Sequence, residues 1–214
     1  MNTIRLKYVI PHVFASREQQ DSEIWQQDVV FEKDRLYLIE ADSGKGKSTL
    51  CSYLIGYRHD YTGSIFFDDV DSSQLKIGQW VDLRTKHISH LFQELRLFPE
   101  LTAYENIEIK NKLTGFKTRK QIEEWFEMLG IAEKMEAKVG KMSFGQQQRV
   151  ALIRSLVQPF DFLIADEPIS HLDDNNSKIM GEIITKEASA QGAGVVITSI
   201  GKHIDLPYDT VYRL

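Results

Sequence analysis

The sequence predicts an α/β fold: a mostly parallel sheet flanked by helices, with an antiparallel β portion at the N-terminus and an all-helical insertion. Three observations predict it. Short apolar runs alternate with helix-patterned segments, the arrangement that gives parallel strands covered on both faces. One such run, Leu36-Tyr37-Leu38-Ile39, passes through the small-residue stretch Ala41-Asp42-Ser43-Gly44-Lys45-Gly46-Lys47-Ser48-Thr49 into Leu50-Cys51-Ser52-Tyr53-Leu54-Ile55, which reads as strand, loop and helix. Between residues 98 and 140 few β-branched residues interrupt a helical pattern.

Taken in order, residues 3–10 and 28–40 read as strands, with Phe31-Glu32-Lys33-Asp34-Arg35 as a polar turn and a polar stretch from Ser16 to Glu23 between them. In this segment His12 or Phe14 either stacks on an adenine or belongs to the core. After the first helix, Tyr61 to Asp69 reads as turn then strand, and a polar segment follows to Lys86. His87 to Gln93 reads as a buried strand ending at Gln93. Helices follow over Ala103–Leu113, where Thr102 and Glu105 form a capping-box pair, over Thr118–Leu129, and over a short piece near Glu133–Lys138. Strand character returns at Phe162-Leu163-Ile164-Ala165 and Gly194-Val195-Val196-Ile197-Thr198, separated by a helix over Asp173–Ala190. The expected organisation is one domain, with a sheet core from 1–97 and 141–214 and a helical subdomain over 98–140.

At 214 residues the chain has room for a sizeable core. Its net charge of −5 supplies no broad basic field, which argues against a nucleic-acid partner. The lone Cys51 cannot form an internal disulfide and suits a reducing compartment as a small buried residue. The N-terminal residues lack a signal-peptide core, and no run approaches the roughly 18 apolar residues of a membrane span. The expectation is a cytoplasmic protein that meets a membrane only peripherally, through a partner.

The stretch from Ala41 to Thr49 fits the phosphate-loop pattern G-x-x-x-x-G-K-[ST] of P-loop NTPases, except that Ala41 replaces the first glycine. Small residues let backbone N–H groups turn inward as an anion nest, and the following helix adds the positive end of its dipole. A triphosphate suits this loop, with Lys47 reaching the β and γ phosphates and Ser48 in a Mg2+ shell. The alanine methyl is tolerable only at negative φ. Without a ligand, the same residues would be a plain strand-to-helix turn. Farther on, Phe162-Leu163-Ile164-Ala165-Asp166-Glu167-Pro168 delivers two adjacent carboxylates at the carboxyl end of an apolar strand, where open α/β sheets bind ligands. Asp166 is placed to hold Mg2+, and Glu167 to take a proton from a water attacking the γ phosphate.

Between these motifs lies Lys141-Met142-Ser143-Phe144-Gly145-Gln146-Gln147-Gln148-Arg149-Val150-Ala151. It resembles the signature of the ATP-binding cassette (ABC) family, usually LSGGQ followed by QRVA and a helix. The resemblance extends over nearly the whole chain and implies further roles. Gln93 is the Q-loop residue that senses the γ phosphate and joins the Mg2+ shell, Asp166-Glu167 the Walker B pair, and Ser170-His171-Leu172-Asp173 the D-loop. Ser143, Gly145 and Gln146, at a helix start with a hydroxyl, a close amide and a dipole, form a second phosphate site that closes over ATP held by another subunit, with Asp173 also at that nucleotide. Phe144 replaces one of the family's paired glycines. Ser199 stands where the family has its switch histidine, and is shorter and uncharged. His203 either reaches back toward the phosphate or faces solvent.

The resemblance implies an ATPase subunit that dimerises, with itself or with a second ABC subunit, around two Mg-ATP and drives a separate membrane permease. With Ala41, Phe144 and Ser199 atypical, hydrolysis is expected to be slow. Leu95, Leu97, Phe98 and Leu101 either form the permease groove or pack the insertion onto the sheet. The run from Leu97 to Ile107 looks most like the bacterial subgroup serving lipoprotein release, macrolide export and cell division. A non-transporting, slowly hydrolysing ATP switch that signals through a membrane protein is the alternative.

Overall fold

The computed structural model describes residues 1–15, 21–170 and 172–214. The polar stretch expected from Ser16 to Glu23 falls largely outside the described residues, as does His171 of the D-loop.

Among the described residues nine strands form two sheets. The antiparallel sheet has the order β2-β1-β4-β5, built from β1 (Thr3–Pro11), β2 (Asp28–Glu32), β4 (Tyr61–Phe67) and β5 (Val70–Asp71). The five-stranded sheet has the order β6-β7-β8-β3-β9, and every pairing in it is parallel; its strands are β3 (Leu36–Glu40), β6 (Ile88–Leu91), β7 (Phe162–Asp166), β8 (Gly194–Ser199) and β9 (Thr210–Arg213). All residues of β7 and β8 are buried, as central parallel strands covered on both faces must be. The helices are α1 (Lys47–Leu54), α2 (Ile77–Asp82), α3 (Ala103–Asn111), α4 (Arg119–Met128), α5 (Phe144–Leu156) and α6 (Asp174–Gln191).

Two apolar clusters flank the parallel sheet. One joins α1 to the antiparallel sheet through Ile4, Phe31, Tyr53 and Ile65. The other joins α5 and α6 to the insertion through Ile107, Ile122 and Phe126, so the insertion helices are anchored in the same apolar body as Leu163 and Val195. At α3, Thr102 Oγ1 accepts from the Glu105 amide at 3.1 Å and Glu105 returns a bond to the Thr102 amide at 2.8 Å, the expected capping box.

Several elements differ from expectation. Near Glu133–Lys138 there is no regular helix but 3-10 turns at Ala132–Lys134 and Val139–Lys141, because Ala137 O and Met135 O accept from the first amides of α3. Tyr61-Thr62-Gly63 is the start of β4 rather than a turn. Gly63 sits at a register shift opposite Tyr8, where a Cβ would come within 2.4 Å of Tyr8 O. The polar segment before Lys86 contains α2, of which only Trp80 is buried. Leu95, offered as part of a groove, is 4 % exposed and belongs to the core, while Phe98 is 51 % exposed and Leu97 and Leu101 are half-buried.

Candidate active site

Gly46 caps α1 with φ 103°, a left-handed conformation that an L side chain rarely adopts. A Cβ here would lie 2.8 Å from Phe14 Cε2 and 3.2 Å from Trp25 Cζ2. The glycine therefore lets the loop backbone close down onto two aromatic rings. Ala41 is not among the positive-φ residues, so its methyl meets the condition set by its sequence position.

The loop opens on a cavity of about 360 Å³ lined by Val13, Phe14, Ser43, Gly44, Gly46, Lys47, Ser48, Thr49, Gln93, Glu167 and Ile200. Lys47 is 4 % exposed; its Nζ donates to Ala41 O and Asp42 O, both at 2.9 Å, and lies 3.7 Å from Glu167 Oε1. Ser48 Oγ donates to Gln93 Oε1 at 3.2 Å, and Gln93 Nε2 donates to Glu167 Oε2 at 3.2 Å. Four residues from three elements of the sequence pattern thus close a ring at the loop mouth: Lys47 and Ser48 on α1, Gln93 just past β6, and Glu167 just past β7. Glu167 has φ 49°, a left-handed backbone for a non-glycine residue at a site where such strain is characteristic.

Asp166 is 3 % exposed and accepts a 2.6 Å bond from Thr198 Oγ1. Thr198, fully buried, also accepts from the Glu167 amide at 3.2 Å through both its hydroxyl and its carbonyl. It is a second-strand clamp that holds the acidic pair, and the sequence reading missed it. Cys51 lies beneath; burial, then the Asp166 charge, pushes its thiol well up, so it is an inert core residue. The oxygen donors Ser48, Gln93 and Asp166 match the hard-ligand chemistry of Mg2+.

Of the remaining expected residues, Asp42 and Lys45 sit in the loop, where the Lys45 carbonyl accepts from Trp25 Nε1 at 3.4 Å. Phe14 lines the cavity but is only 6 % exposed and packs on Trp25 at 6.4 Å, whereas His12 is exposed. Ser199 is not brought to the cavity. It is 2 % exposed, its hydroxyl donates to Lys202 O at 2.5 Å, and the next residue, Ile200, faces the loop instead. His203 is exposed, 3.7 Å from Glu40.

The second cluster lies away from this cavity. Ser143 Oγ accepts from the Gln146 amide at 3.3 Å and Gln146 Oε1 accepts from the Ser143 amide at 3.0 Å, starting α5 with a capping box. Phe144, its first helical residue, is 43 % exposed. Arg149 donates to Gly145 O, to Leu129 O and to Asn176 Oδ1, tying the turn to the insertion and to α6. Asp173 caps α6 by accepting from the Asn176 amide at 2.9 Å, and that bond first of all lowers its carboxyl below the usual range. Among the described residues none of Ser143, Gly145, Gln146 or Asp173 lines the phosphate cavity of its own chain.

Comparison with known proteins agrees with this geometry. The model of the ABC transporter family matches residues 26–170, more than half of the chain. The macrolide export ATP-binding/permease protein MacB of a Shewanella strain is 29% identical over 94% of this chain and 31% of its own length. The chain thus spans about a third of that relative. The ABC transporter ATP-binding protein YtrE of Bacillus subtilis is 32% identical over 77% of this chain and 73% of its own. Among solved structures, the dimeric bacterial ABC transporter cassette MJ0796 superposes with a TM-score of 0.77 at 25% identity, covering 91% of this chain and 87% of that one. On its phosphate loop, its carboxylate pair and these matches, the chain belongs to the ABC transporter family.

Proposed function

We propose that this chain is the ATP-binding and ATP-hydrolysing subunit of an ABC transporter, closing as a dimer around two Mg-ATP and driving a separate membrane permease. The observation that carries the reading is the ring Lys47, Ser48, Gln93 and Glu167 at the mouth of a glycine-built loop. Loop amides and the α1 dipole bind the triphosphate, and Lys47 exchanges the Ala41 and Asp42 carbonyls for phosphate oxygens. Ser48, Gln93 and Asp166 hold Mg2+, which when bound neutralises charge on the phosphates. Glu167 accepts the proton of the attacking water, and Gln93 reports the γ phosphate to the insertion. The Ser143-Phe144-Gly145-Gln146 turn and Asp173 cover the nucleotide of the second copy in a two-fold arrangement, the logic of a site whose two halves lie apart on one chain. Among the described residues no helix is long and apolar enough to cross a membrane. The sheet core over 1–97 and 141–214 and the helical subdomain over 98–140 then move as two parts of one domain.

The test is the Glu167→Gln variant. It is expected to lose turnover by about 100-fold or more while forming an ATP-dependent dimer on sedimentation. A variant that hydrolyses at the wild-type rate, or stays monomeric with ATP at every concentration, defeats the reading.

A second reading, a slowly hydrolysing switch that acts on a membrane protein without transport, is favoured by Ile200, an aliphatic side chain facing the loop beside a Ser199 turned away from it. Turnover measured with the membrane partner separates the two, since transport couples flux to hydrolysis.

A further inference from the structure

Gln93 touches both Ser48 and Glu167, yet it is exposed and each of those bonds is 3.2 Å long. Its place therefore depends on the backbone that carries it. That backbone is a tight turn just past β6, in which the Leu95 amide donates to Phe92 O at 3.0 Å and the Arg96 amide to Glu94 O at 2.6 Å. Leu95 and Arg96 follow one another at φ 59° and φ 50°, in the left-handed region that few residues besides glycine, asparagine and aspartate occupy. Among the described residues no other two consecutive non-glycine residues share that conformation. Such strain persists only where the surroundings hold it.

Three sets of contacts hold this turn. Leu95, 4 % exposed, is sunk in the apolar cluster of the insertion. Ahead of the turn, the Phe92 ring lies 4.0 Å from the ring of His90, whose two nitrogens are buried without a hydrogen-bond partner, and the Arg96 guanidinium folds back to 4.1 Å over Phe92. The third comes from α5. Arg154, on the last turn of that helix, donates through Nη1 to Arg96 O at 2.6 Å and through Nη2 to Leu95 O. Among the described residues Arg154 makes no ion pair and has no other acceptor, so its fork is committed to two neutral carbonyls of one turn. Burial, then the Arg96 charge, pushes it down to about 10, and a buried cation without an acid is costly to keep. The same helix braces the other strained residue of the ring: Gln148, 2 % exposed, donates to Pro168 O at 2.6 Å, next to Glu167 at φ 49°.

We infer that Arg154 is a positioning residue for the phosphate site: its guanidinium clamps the left-handed Leu95–Arg96 turn and so fixes where Gln93 meets Ser48 and Glu167. Arg154 does not line the phosphate cavity and acts through the turn. Shape decides the residue type, because a planar guanidinium presents two N–H groups to two successive carbonyls and an ammonium cannot hold both in that geometry. This inference rests on the proposed ATPase reading, and adds the device that keeps Gln93 in place.

The test uses the full chain as wild type, Arg154→Lys, Arg154→Met, and Arg154→Met combined with Arg96→Gly. In both single variants kcat for ATP is expected to fall about tenfold or more. The Kd for ATP measured without Mg2+ should stay within about twofold, since the loop amides and Lys47 are untouched. Amide hydrogen exchange over residues 92–97, read without nucleotide or metal, should accelerate by about tenfold with the rest of the chain unchanged. Glycine adopts a positive φ without strain, so Arg96→Gly should recover most of the kcat lost in Arg154→Met. Thermal unfolding reports folding, and Arg154→Lys, which keeps the charge, decides alone if Arg154→Met does not fold. Wild-type exchange and turnover in Arg154→Lys overturns the inference, because charge would then suffice without the fork. So does faster exchange throughout the chain with weakened ATP binding, which is a merely structural role, and so does a failure of Arg96→Gly to restore turnover. These outcomes leave the ATPase reading standing, because that reading is judged on the wild type and Glu167→Gln.

Discussion

The unpartnered His90 makes a quantitative prediction about acid stability. Burial first, then the Lys110 and Arg96 charges, lower it from 6.5 to about 3. A base depressed in the fold is neutral there while the unfolded chain protonates, so stability is full above the unfolded value and is lost as pH falls from 6.5 toward 3. With those two values, going from pH 7.5 to pH 5.0 should cost about 2 kcal/mol through this residue alone. Replacement by leucine removes the titrating group. The groups that face it from neighbouring elements, Lys110 on α3, Arg154 on α5 and Arg96 after β6, remain and contribute their own slopes to both proteins. Urea unfolding of wild type and His90→Leu at pH 7.5, 6.5, 5.5 and 5.0 gives the difference directly. The wild type should lose about 2 kcal/mol more than the variant across that range. Parallel curves, within about 0.5 kcal/mol, would mean that His90 titrates as an ordinary surface histidine, and the reasoning about a partnerless imidazole would fail.

Three further outcomes follow from the geometry. Ile200→His should raise ATP turnover more than Ser199→His, since the first side chain faces the loop and the second turns to Lys202; equal turnover of the two variants in a steady-state phosphate-release assay would refute that placement. Gly46→Ala, strained at φ 103° and driven against Phe14, should lower stability by about 1–3 kcal/mol and weaken nucleotide binding, which thermal unfolding and titration with ATP check together. Lys117 and Glu187, nearly buried and 2.6 Å apart, tie the insertion to α6. Lys117→Met alone should cost about 3 kcal/mol by leaving Glu187 buried and unpaired, whereas the double variant Lys117→Met with Glu187→Met should recover most of it; denaturant midpoints of the single and double variants decide.

How much was legible depended on how strongly burial marks a segment. Strands β3, β7 and β8 are apolar over most of their length because both their faces are covered, and they stood out at once. Helix α2 did not, because Ile77 and Val81 point to solvent at 85 % and 56 % exposure and only Trp80 is buried, which inverts the usual pattern. Strand β9 is an edge with every other residue exposed and too short for alternation to register. Glycine misled once: Gly63 suggested a turn, but it permits a bulge against Tyr8 within a continuous strand. At the site, the loop and the acidic pair were readable from motif spacing beside recognisable strands, whereas Gln93 was singled out by the family resemblance. Thr198 was not, because a buried threonine in an apolar strand looks like packing until its hydroxyl is seen on Asp166. Nor was Ile200. Every residue of β8 is buried, so alternation says nothing about which side chain turns toward the nucleotide loop once the strand ends.

The three departures from the family pattern are not equivalent once they are placed. Ala41 is harmless: its φ is not positive, and its carbonyl still accepts from Lys47. Phe144 follows the Ser143 cap at the start of α5, where its exposed ring stands on the surface proposed to meet a second copy, while the Ser143–Gln146 box beside it is intact. Ser199, in place of the switch histidine, turns its hydroxyl to Lys202 O, and the neighbouring Ile200 adds an aliphatic wall beside Glu167 that supplies neither a donor nor a charge. On the proposed reading the loop and Lys47 that would bind phosphate are in place, and the altered positions are those expected at the γ phosphate or the second copy. Transition-state stabilisation is lost where a donor is missing, while ground-state binding through loop amides and Lys47 persists. On this reading that separation predicts nucleotide binding and closure together with slow turnover, which steady-state phosphate release by wild type against Ser199→His tests.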